Sequence, residues 1–330
     1  MATPSELRTL RGRRSPSQKE NIRDHVFEKA NSLVSNDYLK PIVQQSSCRA
    51  LRPIPRDQKA FELFKIQPNS ARSRNVPKLS NIVTMSNELP KKSPELLYKE
   101  HLFQTFQAMK FIRALPQPDL EELSNKTIWL PKRKGYENKR TIVFDLDETL
   151  VHCVENPELG DFAINIQLAP GQILKAGVNI RPFAREVLAS ANRDFEVIVF
   201  TASHKCYADE VMDYLDPTGE LIHHRLYRDS CLVKSGVFLK DLRIFGNRNI
   251  ENIVIVDNSA YCFGYQLENG IPIISWFDDP NDRELYKLIE YIKILAQVPD
   301  ISLVNRHTFH LNTFYTDYIR DFLKYQDREI

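Results

Sequence analysis

Thr141-Ile142-Val143-Phe144-Asp145-Leu146-Asp147-Glu148-Thr149-Leu150 is the stretch whose reading decides the fold. Ile142, Val143 and Phe144 form a short apolar run, the pattern of a strand buried on both faces. The run stops at Asp145, and Asp147 and Thr149 follow at alternate positions. A strand that runs straight into carboxylates puts them at its C-terminal edge, where open α/β sheets bind ligands. In an extended or gently turning segment alternate residues share a side, so both acids can face one point. Two such acids suit a Mg²⁺ ion, an attacking carboxylate, or both. Taken alone, the same Asp-x-Asp-x-Thr pattern also describes a helix cap or a polar loop, so the rest of the chain has to decide.

Downstream, β and α signals alternate. Phe162 to Leu168 and Ile173 to Ile180, split by Pro170-Gly171, read as a hairpin, and Pro182 opens a helix through about Ala191. Glu196 to Phe200 is a second buried strand, followed by Thr201-Ala202-Ser203 and a helix over about 204–215. His224 to Tyr227, Ile253 to Val256 and Ile271 to Ile274 give three more strands, and Asp282 to Ala296 gives a helix. Strands alternating with helices predict an α/β fold with a doubly wound, mostly parallel sheet and a small β-hairpin insertion. Asp278 and Asp279, before Pro280, read as an N-cap for that last helix.

Upstream, Ser93-Pro94-Glu95 starts a helix to about Leu115, with Leu102, Phe106, Met109 and Leu115 near one face. Such a stripe is a packing surface or a partner-binding one. Residues 22–34 carry apolar positions at helical spacing, whereas 1–20 and 45–92 are polar and basic, the composition of a disordered extension. The divisions are therefore 1–92, a basic and largely disordered arm; 93–137, helix and lead-in; 138–300, the α/β domain; and 301–330, a helical tail.

Composition narrows the class. The chain of 330 residues is 42% hydrophobic, enough for a sizeable core. No apolar run approaches a membrane span and no signal peptide opens the chain, so a soluble intracellular protein of nucleus or cytoplasm is expected. The 5 cysteines are scattered without a Cys-x-x-Cys pair, which argues for free thiols and against a zinc site. The net charge of +2 hides an asymmetry: residues 1–140 hold 27 Lys and Arg against 14 Asp and Glu, whereas 141–330 hold 18 against 29. The basic half contacts anionic partners or docks on the acidic half. Lys132-Arg133-Lys134 is nuclear-import-like by composition, though such triplets are common on solvated lead-ins.

Three apolar runs end in chemistry-bearing residues: Phe144 before Asp145, Phe200 before Thr201, and Val256 before Asp257-Asn258. In a parallel sheet those ends meet at one edge. Lys240 lies among apolar neighbours in Val237 to Leu242; a buried lysine there needs an anion at the same edge. Carboxylates, a hydroxyl and a lysine are the parts of a phosphoryl-transfer site, which works by positioning and electrostatics.

At these residues the chain resembles the haloacid-dehalogenase-type phosphatases, and within them the FCP/SCP type, the NLI-interacting-factor-like phosphatases acting on the C-terminal domain of RNA polymerase II and similar phosphoproteins. The resemblance is carried by Val143 to His152, Arg181-Pro182-Phe183, Val199 to Ser203 with Tyr207-Ala208-Asp209, Leu226 to Cys231, Leu239 to Leu242, Ile255 to Ser259 and Ile274 to Asp278, in order over about 140–298. It implies a Mg²⁺-dependent protein serine/threonine phosphatase. Asp145 would be the nucleophile, giving a phospho-aspartyl intermediate, and Asp147 the general acid and base. Thr201 would bind the phosphoryl oxygens and Lys240 would neutralise them. Asp145, Asp147 through its carbonyl, and Asn258 would hold Mg²⁺, with Asp257 at the metal or orienting Lys240. Arg228 and Tyr207 would contact substrate, Tyr207 facing the peptide. Thr149, placed with them, would hydrogen-bond the loop and set Asp147, while Glu148 and His152 would tune or cap the turn. The partner would be a phosphoserine or phosphothreonine segment, with a monomeric enzyme, no membrane insertion and no nucleic acid on the catalytic domain.

Departures from the family pattern are the basic arm, the lack of a membrane segment, and too little chain after 300 for a BRCT domain. No Cys has an Arg six residues later, and there is no Gly-x-Gly-x-x-Gly or Gly-x-x-x-x-Gly-Lys, so cysteine phosphatases and nucleotide-loop enzymes are excluded. The insertion between Leu150 and Arg181 is too short for a substantial cap, which favours an open site. A non-catalytic phosphoprotein scaffold on the same fold is the alternative; it predicts loss of Asp145, Asp147, Lys240 or Asn258, and all are present. Nucleic-acid binding by the arm predicts a salt-dependent affinity carried by residues 1–92 alone.

Overall fold

The computed structural model describes residues 94–169 and 172–326. The helix expected over 22–34, the rest of the arm to residue 92 and the Pro170-Gly171 turn lie outside them. In chain order the elements are α1 (Pro94–Arg113), α2 (Leu120–Lys126), β1 (Arg140–Phe144), β2 (Val151–Val154), β3 (Phe162–Ala169) and β4 (Gln172–Ile180). Next come α3 (Ala184–Asp194), β5 (Phe195–Phe200), α4 (Lys205–Leu215), β6 (His224–Leu226), β7 (Leu232–Lys234) and β8 (Val237–Leu239). The chain continues through β9 (Ile253–Asp257), β10 (Gly270–Pro272), α5 (Glu284–Leu295), α6 (Ile301–Phe309) and α7 (Leu311–Gln326).

The centre is a parallel five-stranded sheet in the order β10-β9-β1-β5-β6. β1 lies in the middle, with Val143 opposite Ile198 on one side and Ile255 on the other. Alternation along the strands sorts the side chains into two layers. Ile142, Phe144, Val197, Val199, Val254 and Val256 pack against α3, α4 and α5 through Val187, Leu188, Val211, Met212, Leu288 and Ile292. Val143, Ile198, Phe200, Ile253 and Ile255 face Leu242, Phe245 and Phe263, together with Phe106 and Met109 of α1 and Leu311 and Phe314 of α7. Burying each of these large side chains contributes about 1.5–3 kcal/mol, which is why the strands carry apolar residues without polar alternation. The α1 stripe is thus core: Phe106 and Met109 are buried against the sheet.

Three details differ from the sequence reading. The insertion is a three-stranded antiparallel sheet, β2-β4-β3, because Val151–Val154 pairs with Ile180 to Gly177. Its hold on the main body includes a face-to-face stack of Phe162 on Tyr214, centroids 3.7 Å apart. α3 begins at Ala184, two residues after Pro182, because Phe183 sits in the left-handed region with φ 68°. The strand expected over 271–274 is instead Gly270–Pro272.

Glu196, fully buried on β5, ties the sheet to the lead-in and to the segment before β9. Its carboxylate accepts from Thr141 Oγ1 at 2.8 Å and from Arg248 Nε and Nη2 at 2.7 Å each. Burial works to raise its pKa, but the neighbouring His224, Arg248 and Thr141 outweigh that and hold it well below the usual carboxylate range. The stability this adds is complete above the unfolded pKa of about 4.3 and is lost as the pH falls toward the depressed folded value. Glu196→Gln leaves Arg248 buried without its counter-charge and is expected to cost about 3–5 kcal/mol at neutral pH. Urea unfolding checks it, with the further expectation that the acid-side loss of stability is shallower in the variant than in the wild type.

Candidate active site

Hydrogen bonding carries β1 one residue past Phe144: the Asp145 amide donates to the Val256 carbonyl at 2.9 Å. The Thr201 amide, just after β5, donates to the Leu226 carbonyl at 3.0 Å. Asp257 is the last residue of β9. The three strand ends therefore reach one edge of the sheet.

Lys240, after β8, runs into that edge with 1% exposure. Its Nζ donates to Asp145 Oδ1 at 2.5 Å and to Asp257 Oδ2 at 2.7 Å. Its backbone amide donates to the Cys262 carbonyl at 2.7 Å, so the residue is fixed at both ends. Burial alone would push the ammonium pKa down, but the charges of Asp145 and Asp257 hold it well above its usual value. Asp257, whose Oδ1 accepts from the Ser259 amide at 2.8 Å, is pushed up to about 6 by burial. The other oxygen of Asp145, Oδ2, accepts from Thr149 Oγ1 at 2.9 Å.

Asp147 has different surroundings. Oδ1 accepts from Tyr207 Oη at 2.6 Å, and Oδ2 from Ser203 Oγ at 2.7 Å and Thr201 Oγ1 at 3.2 Å. These hydroxyls favour the carboxylate, yet burial and the charge of Asp145 outweigh them and raise its pKa. The turn that separates the two acids is tight. Glu148 takes the left-handed region with φ 56°, its amide donates to the Val151 carbonyl at 2.7 Å and its carbonyl accepts from the Trp276 amide at 2.9 Å. Its carboxyl group, pushed up to about 7 by burial, meets His152 Nδ1 at 3.2 Å.

A fully buried guanidinium braces this turn. Arg181 donates through Nε and Nη2 to Asp282 at 2.9 and 3.0 Å, and through Nη1 to the Thr149 carbonyl at 3.2 Å. The bidentate geometry fixes orientation as well as charge.

The geometry corrects several residue-level expectations. Thr149 is fully buried and donates to Asp145, so it supports the first acid rather than contacting substrate or setting the second. Tyr207 does not face outward: it lies on the inner side of α4 with Val211, 4% exposed, and its hydroxyl reaches Asp147. Thr201 is turned to Asp147 and accepts from the Ser203 amide at 3.0 Å. The cap of α5 is not Asp278 or Asp279. Asp279 accepts from the Asn281 amide, while Asp282 accepts from that of Glu284. Arg228 lies at the rim, donating to the Ala202 carbonyl, 3.0 Å from His204 Nε2 and over the Phe238 ring. Besides Arg181, the residues the sequence reading gave no role are Ser203, Asp282 and Cys262. Ser203 was signalled by its place in Thr201-Ala202-Ser203; the other two act through contacts no local pattern shows.

The donors available to a cation are hard oxygens. Asn258 Nδ2 donates to Ser275 Oγ at 3.0 Å, which assigns its Oδ1 as acceptor. With the Asp145 carboxylate and the Asp147 carbonyl it would make a sparse set of the kind Mg²⁺ accepts, since that ion retains several waters. Among the described residues no three His, Cys, Asp or Glu side chains form a metal-holding cluster. Two buried acids on Lys240, Asp145 and Asp257, with Asp147 two residues from the first and its pKa raised, fit a site that a divalent cation would complete.

The family model for the NLI interacting factor-like phosphatase matches residues 140–302. "CTD small phosphatase-like protein 3" of Caenorhabditis elegans is 38% identical over 207 residues, covering 62% of this chain and 71% of that one. "CTD small phosphatase-like protein 2" of Dictyostelium discoideum is 40% identical over 201 residues, 58% of this chain and 34% of the relative. The human "Carboxy-terminal domain RNA polymerase II polypeptide A small phosphatase 1" is 37% identical over 179 residues, 54% and 67%. The fold and these likenesses define the chain as a phosphatase-type α/β protein of the haloacid dehalogenase superfamily. It belongs to the NLI interacting factor-like phosphatase family. The alignment spans about a third of the Dictyostelium relative's length and about two thirds or more of the other two.

Arg181→Lys keeps the charge but loses the planar fork. Amide exchange at Glu148 and Val151 should then accelerate about tenfold or more, since a brace on the turn is gone. Unchanged protection at both amides would show that the turn holds itself.

Proposed function

We propose that the chain is a Mg²⁺-dependent protein serine/threonine phosphatase that works through a phospho-aspartyl intermediate on Asp145. The observation that carries this reading is the division of labour at the sheet edge: Asp145 lies between Lys240 and Thr149, while Asp147 lies among Tyr207, Ser203 and Thr201. Each oxygen of Asp145 accepts one hydrogen bond and keeps a lone pair, so Thr149 and Lys240 orient the carboxylate without blocking attack. The Mg²⁺ ion, held by Asp145, the Asp147 carbonyl and Asn258, would supply charge neutralisation at the phosphoryl oxygens.

In the first half-reaction an Asp145 oxygen attacks phosphorus, the bond to the serine or threonine oxygen breaks, and Asp147 gives that oxygen its proton. In the second, Asp147 takes a proton from a water that attacks phosphorus and releases phosphate from Asp145. The raised pKa of Asp147 suits the first step, because its proton is retained to a higher pH than an ordinary carboxyl would allow. Lys240 stabilises the charge that develops on the transferring group, as a preorganised cation does in a water-poor site. Arg228, held at the rim by the Ala202 carbonyl and the Phe238 ring, would meet a substrate phosphate.

The substrate class follows from openness. The insertion is three strands long and carries exposed Leu159 and Ile173, which suits an extended protein segment better than an enclosed metabolite. A phosphorylated segment resembling the RNA polymerase II C-terminal domain, named in the human relative, is the first to try. No described helix is long and apolar enough to cross a membrane.

The test is turnover of an aryl phosphate and of Ser-Pro and Thr-Pro phosphopeptides by the full chain with Mg²⁺. Asp145→Asn should lower kcat by about 10⁴-fold or more, and acid quenching during turnover should trap phosphate on wild-type Asp145. Asp147→Asn should lower it by about 10²–10⁴-fold. EDTA should abolish activity, and beryllium fluoride should inhibit. Because the proton on Asp147 is required and its pKa is raised, the leaving-group step should weaken as the pH climbs through that raised value. Wild-type turnover in Asp145→Asn would sink the assignment.

A further inference from the structure

Helix α1 lies outside residues 140–302, and neither the family match nor the proposed mechanism gives it a part. Its C-terminal end nevertheless converges on one short segment, residues 261–265. Phe111 packs its ring against Tyr261 with centroids 5.4 Å apart. Ile112 fills the space over Gly264, where an added Cβ would come within 2.8 Å of Ile112 Cγ1. Just past the helix, the Pro116 carbonyl accepts from Tyr265 Oη at 2.8 Å.

That segment holds the backbone around Lys240. The Cys262 carbonyl accepts from the Lys240 amide at 2.7 Å. Gln266 Oε1 accepts from the Leu242 amide at 3.1 Å, and its Nε2 donates to Asp241 Oδ1 at 2.9 Å. Three successive residues, 240–242, are thus hung from 262 and 266, and their chain neighbours Tyr261, Gly264 and Tyr265 are backed by the end of α1 and by Pro116. The helix is itself clamped from the other side, since Tyr315 of α7 stacks on Phe106 at 5.0 Å and lies under Arg113 at 4.8 Å.

We infer that the end of α1, through Phe111 and Ile112, is a positioning element for Lys240: its contacts with Tyr261 and Gly264 set the Cys262 carbonyl, and that carbonyl sets the depth at which the lysine enters the sheet edge. The inference rests on the role proposed for Lys240. A buried lysine with partners at 2.5 and 2.7 Å has little room to follow a shift of its backbone. A displacement of a few tenths of an ångström at 262 reaches the ammonium because the chain between them is hydrogen-bonded and packed.

Gly264→Ala drives a methyl into Ile112 and is expected to lower kcat/KM on an aryl phosphate about tenfold with the melting temperature little changed. Ile112→Ala should lower it as well, and the double variant Gly264→Ala/Ile112→Ala should recover most of the loss, because the new methyl takes space the truncation vacates. Against a Lys240→Arg background with measurable residual turnover, Gly264→Ala should have no further effect; a merely structural loss would multiply instead. Amide exchange at Lys240, read without any activity, should accelerate in Gly264→Ala. Should Gly264→Ala fail to fold, Phe111→Leu carries the same measurements. Wild-type kcat/KM together with wild-type exchange at Lys240 in these variants overturns the inference, and so does multiplication in the Lys240→Arg background. If the wild type hydrolyses no phosphomonoester, the proposed function fails by itself, and the exchange at Lys240 still decides whether α1 positions that residue.

Discussion

Lys240 is enclosed at the sheet edge between Asp145 and Asp257, and the rest of the site depends on that arrangement. Removing an ammonium and two carboxylates from water carries a penalty of several kcal/mol per ion. Their mutual attraction offsets it only if all the partners keep their distances, so each must be held from behind. The chain does this with backbone at every member. Asp145 is tied to Val256, Asp257 carries the Ser259 amide, and Lys240 hangs from Cys262. The parallel sheet supplies the first of these anchors because β1 and β9 are neighbours.

One lysine facing two acids, with a third beyond, leaves the region short of positive charge. Burial then pushes the carboxyl groups of Asp147 and Asp257 toward the neutral form. Asp147 is the informative case because it sits two residues from Asp145 in a different setting. Its hydrogen bonds come from three hydroxyls, and neutral donors compensate a carboxylate charge less than an ammonium does. A carboxyl group whose pKa is raised in this way is suited to carry a proton, the part proposed for Asp147. The left-handed Glu148 between them turns the chain so that the two acids meet different neighbours.

Much of this edge was legible in the sequence because buried parallel strands write themselves as short apolar runs, and the residue after each run has a known address. Asp145, Thr201, Asp257 and the embedded Lys240 could be gathered on that basis. The bracing could not. Arg181 and Asp282 stand 101 residues apart, and nothing local to either reports the other. Asp278, Asp279 and Asp282 all sit near the start of α5, and composition does not say which one is claimed by the buried guanidinium. Tyr207 was misdirected although its pattern was available: with Ala208, Val211, Met212 and Leu215 it shares the buried face of α4, so helical periodicity alone turns it inward. β2 escaped because Val151–Val154 runs on from the active-site turn without punctuation.

The second face of the sheet shows why the functional unit is larger than the matched segment. Val143, Ile198, Phe200, Ile253 and Ile255 point to that face, and their cover includes Phe106 and Met109 of α1 and Leu311 and Phe314 of α7. Stripped to residues 140–302, the sheet would keep Leu242, Phe245 and Phe263 but expose apolar surface around them, and exposed patches of this kind associate or destabilise. The covering is not interchangeable with any amphipathic helix, because α1 ends on the segment from which Lys240 is hung. Packing that completes the core and packing that sets the lysine therefore reside in the same twenty-residue helix. A substitution along its length should act on stability near Phe106 and Met109 and on the site near Phe111 and Ile112.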